Sequence, residues 1–213
     1  MKAFLVGLGI IAAGLMVAVP PTQAVSFDLT SDHCTGGCGT APFGNVTLTQ
    51  NGTAVDVTVH LISPNQFVKT GSADDQAFKF NGTGVALGDI TVDAHVPGLD
   101  AATGAFNGDG TGNFVFGINC PSCGDGASGE FANDIVFHVA DAVIADLDAP
   151  NNLGIIFVAD IIGSTGNTGP VDATPGGGVG GSLIPEPATL LLLGSGLFGL
   201  GLAGRVRDRL RKK

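Results

Sequence analysis

Between residues 46 and 61 the chain alternates on either side of a tight turn. Val55, Val57, Val59 and Leu61 fall on one face of an extended strand, and Asp56, Thr58 and His60 on the other. Upstream, Val46-Thr47-Leu48-Thr49 alternates as well, and Asn51-Gly52 stands between the two runs. Asn-Gly supplies the positive φ angles of a two-residue hairpin turn, so the stretch predicts an antiparallel hairpin with one buried face.

Further strand-like runs lie at residues 76–80, 90–96, 113–118, 134–140, 143–147 and 154–162. Turn clusters separate them: Asn81-Gly82-Thr83-Gly84, Asn107-Gly108-Asp109-Gly110 and Gly124-Asp125-Gly126. No stretch between residues 25 and 162 sustains a helical period, and only residues 140–147 are ambiguous. The expected fold is all-β, an antiparallel, jelly-roll-like β-sandwich of roughly eight to ten strands. An N-terminal signal helix and a C-terminal transmembrane helix would flank it. The aromatics are all phenylalanine, thirteen in number; most lie in or beside these runs and are expected in the core.

Charge narrows the range of partners. Between residues 25 and 182 only Lys69 and Lys79 stand against seventeen acids, sixteen of them aspartate. Such a surface repels phosphate backbones, which excludes nucleic acid as a partner. Acidity keeps an exported domain soluble, and it leaves calcium open as a ligand. Asn107, Asp109 and Thr111 are spaced like calcium-loop ligands, but the twelfth position is Ile118, so an EF-hand is excluded. Turn chemistry is the better account of these residues.

The two ends read as addresses. Residues 1–24 form a signal peptide: Lys2, an apolar run over residues 3–19, Pro20-Pro21, then Thr22-Gln23-Ala24 with small side chains where a signal peptidase needs them. Cleavage is expected between Ala24 and Val25. At the other end, Pro185-Glu186-Pro187 precedes an uncharged apolar stretch over residues 188–204, about 25 Å long as a helix. The tail that follows carries Arg205, Arg207, Arg209, Arg211, Lys212 and Lys213. It should stay cytoplasmic by the positive-inside rule, leaving the domain outside.

Motif, span and basic end, in that order, resemble the PEP-CTERM protein-sorting signal over about the last thirty residues. The resemblance implies an exosortase substrate. Its precursor would be anchored transiently in the inner membrane, cut near Pro185, Glu186 and Pro187, and delivered to the cell surface or exopolysaccharide matrix of a biofilm. Signal peptidase and exosortase are then its partners in export, and extracellular polysaccharide a candidate partner afterwards. Residues 163–183, rich in Gly, Thr and Pro, read as a tether between the sorting signal (184–213) and the β-domain (25–162).

Four cysteines occur as two close pairs, Cys34 with Cys38 and Cys120 with Cys123. In an exported chain they are disulfide candidates. Three connectivities can be drawn. A crosslink between the pairs would stabilise more, by about 4.5 against about 2 kcal/mol for each short loop. Proximity favours local pairing, which is the expectation adopted. Four thiolates beside His33 could hold zinc, but an oxidising compartment competes for them. Cys120-Pro121-Ser122-Cys123 has redox-motif spacing without the helix such a motif opens.

Nothing assembles a catalytic set. The domain has no Gly-x-Ser-x-Gly elbow, and His33, His60, His95 and His138 are scattered. Glu130 is its only glutamate, and it has no arginine to clamp a phosphate or carboxylate substrate. The expectation is a non-enzymatic surface or matrix protein without metal or cofactor. A carbohydrate- or calcium-binding module is the alternative, and a metal-dependent enzyme is less favoured. A sugar platform would have to use Phe, because Trp and Tyr are absent.

Overall fold

The hairpin read around Asn51-Gly52 is present. β3 (Gly44–Asn51) and β4 (Ala54–Leu61) pair antiparallel from Gly44 opposite Leu61 to Asn51 opposite Ala54. Gly52 takes a φ of 63°, which a side chain would strain. The computed structural model describes residues 23–69, 75–93, 98–124 and 126–174. The expected signal peptide apart from its last two residues, the sorting signal with its expected span and basic tail, the expected tether from residue 175, and His95 lie outside them.

Twelve strands occur among the described residues, arranged in two antiparallel sheets. The five-stranded sheet runs β1 (Ala24–Leu29), β3, β4, β10 (Ile135–Val139), β7 (Ile90–Val92). The second sheet has seven strands. It runs β2 (Ser31–Asp32), β12 (Thr168–Ala173), β11 (Phe157–Ile162), β6 (Gln76–Phe80), β9 (Asn113–Asn119), β8 (Asp100–Asn107), and β5 (Gln66–Phe67) joins the far end of β11.

One apolar cluster draws on both sheets, with Val46, Val57 and Phe137 from the first and Phe78, Phe157 and Ile161 from the second. Phenylalanine rings bridge them. Phe137 of β10 lies 6.1 Å from Phe78 and 5.1 Å from Phe80 of β6. Phe27 of β1 meets Phe157 of β11 edge-on at 5.3 Å. Such contacts add to the burial of each ring and fix how it sits.

Two expectations need correction. Residues 143–147, read as a strand, form a single helical turn, α1 (Ile144–Leu147). Asp146 turns back to accept the Val143 N–H at 2.8 Å, so the aspartate stabilises a turn where the apolar residues alone suggested a strand. Residues 163–174, assigned to the tether, belong to the folded domain. β12 pairs along its whole length with β11, and Val171 and Ala173 enter the core. Its Thr-Gly-Pro composition hides a strand that β11 on one side and β2 on the other satisfy.

Candidate functional site

The outward face of the five-stranded sheet is polar because alternation sends every second side chain there. Register sets Thr49, Asp56, His138 and Thr91 in one row across four strands. His138 is held from two sides. Its Nδ1 lies 2.7 Å from Asp56 Oδ1 and its Nε2 2.9 Å from Asp93 Oδ1. The hydrogen bond to Asp56 raises its pKa above the ordinary histidine value; partial burial opposes this, and the charges of Asp93 and Asp56 reinforce it. When protonated, the ring donates from both nitrogens to these carboxylates. Here it staples β4, β10 and the end of β7.

His60, further along the same face, pairs through Nδ1 with Asp134 Oδ1 at 2.8 Å. It lines an open cleft of about 580 Å³, together with residues that include Ile62, Ser63, Pro64, Gln66 and Ala132. His33, beside the second sheet, meets the buried Asp172 Oδ2 through Nε2 at 2.6 Å. Each described histidine therefore has its own aspartate partner. The sequence shows the histidines but not these partners, which lie far from them along the chain and meet them only in the folded sheets.

The cysteines pair locally, Cys34 with Cys38 and Cys120 with Cys123. Asp32 organises the first loop: Oδ1 accepts the Cys34 N–H at 2.9 Å and Oδ2 the Cys38 N–H at 2.8 Å. Candidate ligand atoms of Asp32, Cys34 and Cys38 lie within 4.8 Å of one another. With the sulfurs joined, that group offers no thiolate to zinc. The loop also leans on the turn between β11 and β12, where a Cβ built on Gly163 would collide with the Cys38 carbonyl oxygen.

In the loop considered for calcium, Asn107 Oδ1 accepts the Asp109 N–H at 2.9 Å, and Thr111 Oγ1 donates to the Gly108 carbonyl at 2.6 Å. Those oxygens serve the turn. Ala24 and Val25, on either side of the expected cleavage, open β1, opposite Thr49 and Leu48. No helix among the described residues is long and apolar enough to cross a membrane.

Fold and site together define an all-β domain braced by two disulfides. The chain carries a PEP-CTERM protein-sorting motif, which matches it at residues 183–207. That match takes in Pro185, Glu186 and Pro187 and reaches Arg205 and Arg207. The motif implies exosortase-dependent processing, and with it export and a membrane-anchored precursor. No curated protein and no solved structure matches the chain.

Proposed function

We propose that this is a non-catalytic protein of the cell surface or exopolysaccharide matrix, exported with cleavage after Ala24 and released from its membrane span by an exosortase. The sorting motif at residues 183–207 carries the reading. The two sheets stack face to face as a β-sandwich, a reading supported by the ring contacts between Phe137 and Phe78 and between Phe27 and Phe157. A role in display and interaction rather than catalysis is supported by the engaged histidines and the closed cysteine pairs. The measurement that tests it is the intact mass of the protein purified from its native host. The expected mass begins at Val25 and ends near residues 185–187. A mass retaining residues through Lys213 would make the chain a plain membrane anchor and remove the basis for matrix delivery.

A second reading, carbohydrate binding, draws on the open cleft beside His60, where Ser63 and Gln66 lie next to Ile62 and Pro64. Polar groups beside apolar surface suit a sugar ring. A glycan array probed with and without calcium tests it, and an array with no binder would end it.

A further inference from the structure

The middle strands of the seven-stranded sheet are buried on both faces. One face feeds the shared core through Phe78, Phe80, Phe157, Ala159 and Val171. The opposite face carries charge. Register sets Lys79 of β6 opposite Val158 of β11, and Val158 opposite Asp172 of β12, so all three share that face. Asp160 lies two residues further along β11 and points the same way. Lys79, Asp160 and Asp172 are each 1% exposed. Lys79 Nζ stands 2.7 Å from Asp160 Oδ2 and reaches the Gln76 carbonyl at 3.5 Å. Asp172 gives Oδ2 to His33, and its Oδ1 is buried without a hydrogen-bond partner.

We propose that Lys79 and Asp160 become joined by an intramolecular isopeptide bond, a covalent cross-link between β6 and β11. Separate charges at such depth are costly, and transfer of a proton from Nζ to the carboxylate neutralises both groups. The neutral amine then has a lone pair within reach of Asp160 Cγ. Nζ attacks Cγ, the new C–N bond forms, and the bond from Cγ to the protonated oxygen breaks. The nitrogen gives up one proton, one water leaves, and a secondary amide remains. The step needs no oxidant, reductant or activated group. In bulk water the reactants would be held back as ions; exclusion of water removes that obstacle. Asp172 sits diagonally from Asp160 across the β11–β12 pair, where a carboxylate can carry the proton from the attacking nitrogen to the departing oxygen.

The experiment is peptide mapping of the full chain after reduction and denaturation. The expected chain is lighter than its sequence by one water, trypsin leaves the bond after Lys79 uncut, and fragment spectra join Lys79 to Asp160. An unmodified mass with normal cleavage after Lys79 would overturn the proposal. So would a water lost at an Asp-Gly succinimide such as Asp109-Gly110, with Lys79 still cut. Asp172→Asn is expected to fold yet keep its full mass; if it condenses as the wild type does, the proton-carrying role of Asp172 is wrong. The wild-type map decides the cross-link whether or not that variant folds. Because it reads the interior of the domain, it is independent of where the two ends are processed.

Discussion

His138 and Asp56 face each other directly across the β4–β10 register, with imidazole and carboxylate 2.7 Å apart. Asp93 closes on the other ring nitrogen, and Thr91 is the neighbour from β7. The raised pKa of His138 makes this arrangement sensitive to pH. A histidine whose folded pKa lies above its unfolded value contributes stability that is complete below about pH 6.5 and is lost as pH rises through the folded value. The ring is partly exposed, so the contribution should not exceed about 1 kcal/mol. Thermal unfolding of wild type and His138→Asn across this range should show a gap in acid that closes in base. A gap independent of pH would mean that the staple acts by packing alone.

The first disulfide loop depends on a carboxylate as well as on its sulfurs. Asp32→Ala leaves the Cys34 and Cys38 N–H groups without their acceptor. A loss of about 1–3 kcal/mol in urea unfolding is expected. The Cys34→Ser, Cys38→Ser double variant should lose about 2 kcal/mol. If Asp32→Ala costs nothing once both cysteines are gone, carboxylate and disulfide act as one unit.

Phe137 is the ring through which the five-stranded sheet reaches both Phe78 and Phe80. Phe137→Ala should cost about 3–5 kcal/mol, because the cavity opens between two sheets that cannot collapse independently. A denaturant midpoint within error of wild type would show that those ring contacts do not hold the sheets together.

The domain boundary is testable by truncation. A chain of residues 25–174 retains β12 and should give a cooperative unfolding transition. A chain of residues 25–162 loses β12, strips β11 of one neighbour and exposes the buried Val158. It should aggregate or unfold without cooperativity, as circular dichroism melting would report. Equal cooperativity in the two chains would return residues 163–174 to the tether.

Strands that carry their own periodicity were readable. The β3–β4 hairpin announces itself through Val, Leu and Thr alternation and Asn51-Gly52, and β6 falls on the expected residues 76–80. β8 was not read, because Asp100–Asn107 is an edge strand that buries little and so shows no apolar rhythm. β12 was not read because its partners, rather than its composition, make it a strand. β1 has a usable signal in Val25, Phe27 and Leu29, masked by its closeness to the apolar N-terminal run. The pairings of His33 with Asp172 and of Lys79 with Asp160 join residues far apart in sequence, so only the assembled sheet brings them together.

The end of β12 at Ala173 leaves eleven residues before Pro185. Fully extended, that many residues span at most about 40 Å. In the membrane-anchored precursor that the motif implies, this short leash caps the distance between domain and motif. Lengthening or shortening that leash would change the working room of a membrane enzyme without altering either the domain or the motif it reads.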